Sequence, residues 1–150
     1  MTSGITYCAV AGTLPDIEAL AAEARSEGFQ HVDRLVTEWR DGSMRFAADG
    51  ELLMVALEGS VPVAIGGITR DPFVPGALRM RRFYTRRDCR GLGIGGELQR
   101  RLVAHGQRFA DHITVHAGSE AAARFWERCG FAPAAPGSRH THELVTKPLP

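Results

Sequence analysis

The chain has 150 residues, 44% of them hydrophobic and 23% charged, with a formal net charge of +1. That is the composition of one domain with a core of its own, so residues 1–150 are expected to form a single unit. No apolar stretch approaches a membrane span, and no basic segment leads into a long apolar run at the start, which predicts a soluble, cytoplasmic protein without a membrane partner. The three cysteines, Cys8, Cys89 and Cys129, are odd in number, far apart and out of ligand spacing with the histidines, which argues against a disulfide framework and against a metal site.

In chain order, Ile5 to Val10 reads as a strand. Pro15 suits a helix start, and Ile17, Leu20, Ala21 and Ala24 repeat at helical spacing up to Gly28. Val32, Leu35, Val36 and Trp39 mark a second helix, with Gly42 as its stop. Leu52 to Leu57 and Val61 to Ile68 form a hairpin around Glu58, Gly59 and Ser60, and Gly66 and Gly67 suggest a bulge. After a loop at Asp71, Pro72, Pro75 and Gly76, Ala77 to Thr85 is strand-like though interrupted by arginines. A glycine-rich turn leads into a helix over Gly96 to Phe109, followed by a strand over His112 to Ala117. Ser119 then caps a helix that carries Ala122, Phe125, Trp126 and Cys129 on one face and ends at Gly130. One or two short strands follow, with Thr141 to Thr146 the clearest. The order β, α, α, β, β, β, α, β, α, β is a mixed α/β fold.

Charge is unevenly spread. Acids outnumber bases up to Glu58, whereas Arg70, Arg79, Arg81, Arg82, Arg86, Arg87, Arg90, Arg100, Arg101 and Arg108 face only Asp71, Asp88 and Glu97. A basic patch suits either nucleic acid or a phosphorylated small molecule. With Lys147 the sole lysine, and neither an RNA-binding aromatic signature nor zinc-finger spacing, no nucleic-acid partner is expected.

The informative segment is Arg90, Gly91, Leu92, Gly93, Ile94, Gly95, Gly96, between a strand and a helix. Glycines let a ligand approach the backbone, and the helix start presents unpaired N–H groups at a positive dipole end. A phosphate or diphosphate is the natural occupant, with Arg86, Arg87 and Arg90 adding charge of the right sign. A turn whose glycines serve packing alone is the plain alternative. Gly91, Gly93 and Gly96 also satisfy the dinucleotide fingerprint formally, but Arg86 to Arg90 intervene after the strand and Asp111 precedes the next one, so the context is wrong. No Gly-Lys-Ser/Thr ends the turn, which excludes a P-loop.

Arg90 to Gly95 resembles the GNAT N-acetyltransferase pattern Arg/Gln-x-x-Gly-x-Gly/Ala, in which turn amides hold the diphosphate of acetyl-CoA. Ala122, Phe125, Trp126, Gly130 and Phe131 are similar to the family's Asn-x-x-Ala-x-x-Phe-Tyr followed by Gly-Phe. The resemblance implies a GNAT fold: a mostly antiparallel, twisted sheet of six to seven strands, splayed between strands 4 and 5 and flanked by about four helices. It implies an acetyl-CoA-dependent N-acetyltransferase acting on a primary amine, small-molecule or peptide, by direct attack. A CoA-binding regulatory or sensing module without catalysis is the alternative, and a homodimer is compatible with either. Cofactor contacts are implied for Phe83, Tyr84 and Thr85, whose strand would receive the pantetheine arm like another strand, for Arg90, Gly91, Leu92, Gly93, Ile94, Gly95 and Gly96, and for Ser119, Phe125 and Trp126.

Two positions depart from the pattern. Ser119 stands where Asn is frequent, and Trp126 where many members carry a tyrosine that can protonate the departing thiolate. An indole N–H donates a hydrogen bond but is no acid near neutral pH, so water or a hydroxyl such as Tyr84 must supply that proton. His116 and His142 are the candidate bases, because imidazole titrates near working pH; His140, Glu143, Glu38 and Glu58 are within the range of alternatives. Loops near Phe29, Trp39 and Phe46 are expected to select the acceptor.

Overall fold

The computed structural model describes residues 4–146, which form one seven-stranded sheet with helices on both faces. The elements are β1 (Ile5–Val10), α1 (Glu18–Ser26), α2 (His31–Asp41), β2 (Leu52–Glu58), β3 (Val61–Arg70), β4 (Leu78–Thr85), α3 (Ile94–Gly106), β5 (His112–Val115), α4 (Glu120–Arg128), β6 (Ala132–Pro133) and β7 (His142–Val145), with a 3-10 turn at Arg87–Cys89 after β4. Strand order is β1-β2-β3-β4-β5-β7-β6, antiparallel throughout except for β4 and β5. No helix among the described residues is long and apolar enough to cross a membrane.

Alternation along β2 divides the core. Met54 and Ala56 face α3 and α4, joining Leu98, Leu102, Ile113 and Trp126, whereas Leu53 and Val55 face α1 and α2, joining Leu20, Val32, Leu35 and Trp39. Each helix buries one stripe. In α1 the stripe is Leu20, Ala21 and Ala24, and in α2 it is Val32, Leu35 and Trp39. α2 stops at Gly42, whose φ of 80° closes a left-handed C-cap that a residue with a Cβ enters only at a cost.

Two irregularities in β4 position the site. First, β4 pairs with β5 only at Leu78↔Ile113 and Arg79↔Thr114, after which the two strands part. Second, the register against β3 shifts between Ile65↔Tyr84 and Gly67↔Arg81, so Arg82 and Phe83 stand opposite Gly66 alone. This is a bulge in β4, with Arg82 at φ 62°. Holding a non-glycine residue there costs on the order of 1–3 kcal/mol. The Arg82 guanidinium offsets part of it by donating to Glu38 of α2 at 2.9 Å. The glycines opposite leave the necessary room, since a Cβ on Gly66 would lie 2.8 Å from the Phe83 ring.

The bulge also inverts the alternation. Leu78, Met80 and Phe83 pack on the α3/α4 side, while Tyr84 packs on the α1/α2 side.

Candidate active site

The glycine-rich turn ends where α3 begins. Gly91 and Gly93 hold φ of 79° and 85°, Gly93 being the N-cap of α3, so both need glycine on backbone grounds. Around Gly91, Gly93 and Gly96 a Cβ would meet nothing within 4 Å. Space, not packing, surrounds these glycines, which disfavours the plain packing explanation of the turn. No side chain caps α3, so the first amides of the helix point unpaired into that space. Gly95 differs: a Cβ there would sit 3.2 Å from Thr85 Oγ1 and 3.4 Å from the Phe125 ring, so it keeps α3 close to β4 and α4.

The arginines counted as extra cations for the turn are occupied. Arg86 donates to Asp88 at 2.6 Å and lies 3.7 Å from Glu58. Arg87 and Arg90 both donate to Glu27 of α1, Arg90 through two nitrogens, and the Arg90 guanidinium also lies over the Tyr84 ring. Attraction for an anion at this turn therefore rests on backbone amides more than on side-chain charge.

Glu27 is the centre of this network. Hydrogen bonds from Arg90 first, then from Tyr84 and Arg87, hold its carboxyl down from 4.5 to about 2. Because the folded value lies below the unfolded one, the stabilisation is complete above about pH 4.5 and drains as pH falls toward 2. Urea unfolding at pH 7, 4.5 and 2.5 is expected to show this loss in the wild type beyond that in Glu27→Gln; equal pH profiles would refute the network.

Tyr84 is placed differently from its sequence expectation. Its hydroxyl lies between the carboxylates of Glu23, at 2.7 Å, and Glu27, under α1 rather than in the splay. Burial, and then those carboxylates, push its pKa above the usual phenol value, so it holds its proton tightly. Its backbone is also turned away. Arg86 N–H donates to Val63 O, and by antiparallel alternation Tyr84 faces β3 while Phe83 and Thr85 face the splay. The Thr85 carbonyl there accepts from Arg90 Nε at 3.0 Å.

The Phe83 carbonyl accepts from His31 Nε2 at 2.8 Å. His31, in the first turn of α2, was not singled out in the sequence; 52 positions separate it from Phe83 and no local signal joins them. Burial, and then the neighbouring Arg82 and Arg34 charges, lower its pKa despite the bond to Phe83, so the ring is neutral. With Nε2 carrying the proton, Nδ1 is left as an acceptor.

Of the histidines named from the sequence, His142 is buried on β7 with both nitrogens engaged, Nε2 by Glu127 at 2.8 Å and Nδ1 by the Thr141 hydroxyl at 2.9 Å. His116 is exposed, one residue past the end of β5, where the strand was expected to run to Ala117. Trp39 and Phe46, placed near acceptor-selecting loops, are buried core residues, and the Trp39 indole donates to Gly12 O. Cys129 is pushed up to about 11 by burial, and burial together with Asp88 raises Cys89, so both thiols are poor nucleophiles. The fold also gathers donors that the sequence scatters: His112 and His140 both reach Glu143 Oε1, at 3.0 and 2.9 Å.

Ser119 caps α4 as expected, its hydroxyl accepting from the Ala122 amide at 3.1 Å. Trp126 is 4% exposed and packs edge-on among Phe83, Phe125 and Phe131, with ring centroids 4.9–5.1 Å apart. Packing is therefore its evident role. Trp126→Ala is expected to cost about 3–5 kcal/mol of stability, whereas Trp126→Phe should hold turnover within about tenfold, near 1.4 kcal/mol of barrier. A folded Trp126→Phe protein losing a hundredfold would instead give the indole N–H a chemical role.

The sequence profile of the Acetyltransferase (GNAT) family matches residues 14–131. No curated protein sequence matches the chain. Among solved structures, a protein of Exiguobacterium sp. 255-15 assigned to the acetyltransferases superposes with a TM-score of 0.84 at 29% identity, covering 94% of this chain and 93% of its own. An acetyltransferase of Streptococcus agalactiae 2603 gives 0.76 at 12% identity, covering 96% and 99%. A variant of the toxin AtaT, bound to acetyl-CoA and the C-terminus of the antitoxin AtaR, gives 0.64 at 15%, covering 95% and 94%.

Proposed function

The chain belongs to the GNAT acetyltransferase family, and from that premise we propose that it transfers the acetyl group of acetyl-CoA to a primary amine by direct attack. The observation that carries this is the open, glycine-walled N-terminus of α3 beside a strand that leaves its neighbour after two paired residues. The amides of Gly91 to Gly96 take the diphosphate. The pantetheine arm lies against the edge of β4 at Phe83 and Thr85, with Phe125 and Trp126 behind it and Ser119 capping the helix that carries them. The thioester then reaches the splay between β4 and β5.

Attack requires a neutral amine and a route for its proton. Two imidazoles flank the splay: His31, bonded to Phe83 O, and His116, past the end of β5. His31 is the base in this reading, because its ring is neutral and one nitrogen is free to accept. The departing thiolate takes its proton from water, since Tyr84 is held under α1 and an indole is no acid. That same lack of an acid favours a second reading, a CoA-binding sensing module. Thiol release from acetyl-CoA with a panel of amines separates them: release above the hydrolytic background supports transfer, and binding of acetyl-CoA without release supports the sensor.

A further inference from the structure

The α1/α2 cluster takes no side chain from β5, β6 or β7; on that side of the sheet beyond β4, Thr114 and Asp71 are buried and the Arg79 guanidinium lies over the Phe73 ring at 5.7 Å. On β4, Leu78 and Met80 pack toward α3, which turns Arg79 and Arg81 to the opposite face, Arg79 largely buried and Arg81 half-buried. Arg81 lies four residues before Thr85, roughly 13 Å down the strand at about 3.3 Å per residue, and so well away from the glycine turn.

The charges here do not balance. Arg82 has Glu38 at 2.9 Å. Asp71 already accepts from the Thr114 hydroxyl at 2.6 Å and from the Phe73 and Val74 amides. Arg79 stands 3.9 Å from Asp71, beyond hydrogen-bond reach; its Nη1 is buried without a partner, and Nη2 reaches only the Arg139 carbonyl at 3.4 Å. Arg81, half-buried between these two pairs, makes no hydrogen bond or ion pair among the described residues. Burial first, and then the Arg82 and Arg79 charges, push its guanidinium below the usual value. Withdrawing guanidinium groups from water without a counter-charge is costly, and a fork of donors matches a carboxylate.

We propose that Arg79 and Arg81 bind a carboxylate of the acceptor, so that the preferred substrate is an amine bearing an acid, such as an amino acid. This rests on the acetyl-transfer reading above. The anion completes the donors that Asp71 cannot satisfy and fixes the amine relative to the splay.

The test compares L-amino acids with their carboxamides as acceptors at saturating acetyl-CoA, in the wild type and in Arg81→Gln. At least one acid is expected to exceed its amide ten- to hundredfold in kcat/KM, as for loss of charge-assisted hydrogen bonds. In Arg81→Gln the KM for that acid should rise by tenfold or more while the KM for acetyl-CoA holds. Equal use of acids and amides overturns the proposal. A raised KM for acetyl-CoA overturns it too, since the guanidinium would then serve a cofactor phosphate. If no amine is turned over, calorimetric titration of the CoA-saturated protein with succinate at fixed ionic strength decides: binding weakened tenfold in Arg81→Gln supports the anion site, and absent or unaltered binding refutes it. Failure to bind acetyl-CoA would remove the transfer reading instead, a distinct result.

Discussion

A valine at Gly96 is expected to lower CoA affinity by about two orders of magnitude or more while leaving the protein folded. The position lies in the first turn of α3 with nothing within 4 Å of an added Cβ, and valine is a slightly better helix former than glycine, so the fold is expected to hold. What it does occupy is the space in front of the first amides of α3. Blocking two charge-assisted bonds to a diphosphate, each about 1.5–3 kcal/mol, gives that loss. Gly93→Val should match or exceed it, but at φ 85° the substitution also strains the N-cap, so its melting temperature should fall as well. Isothermal titration with CoA, alongside thermal melts, separates the two effects. A folded Gly96→Val protein with wild-type affinity would show that the diphosphate does not sit at this turn.

His31→Gln is expected to reduce kcat by about a hundredfold with little change in acetyl-CoA affinity, because glutamine can still donate to the Phe83 carbonyl but accepts no proton. The wild-type profile of kcat should stay flat below the ordinary histidine value of about 6.5 and fall only at lower pH, since the ring's pKa is lowered and the neutral form is the base. His116→Gln is expected to change kcat by less than threefold. The reverse pattern, a large loss in His116→Gln and none in His31→Gln, would return the base to the end of β5.

These two variants fall on different sides of what the sequence discloses. Gly96 lies within seven consecutive residues whose composition alone speaks of an anion and a helix start. His31 and Phe83 are joined only because α2 folds across the sheet onto the bulge in β4.

The sequence by itself determined the elements and their order, because local periodicity, caps and turn glycines are properties of neighbouring residues. β1 falls at Ile5–Val10 as read, Ser119 caps α4, and Gly42 ends α2. It also determined the glycine turn and the family to which it points. Tertiary structure decided everything that depends on which face a side chain takes. The bulge opposite Gly66 inverts the alternation along β4, so Tyr84 turns from the splay to the carboxylates of α1. The arginines read as charge for a phosphate are taken by Glu27, Asp88 and Glu58, whereas Arg79 and Arg81, two among many in the basic stretch, are left short of partners. Which charges meet is decided by contacts between residues dozens of positions apart, and a one-residue register shift in a single strand is enough to reassign them.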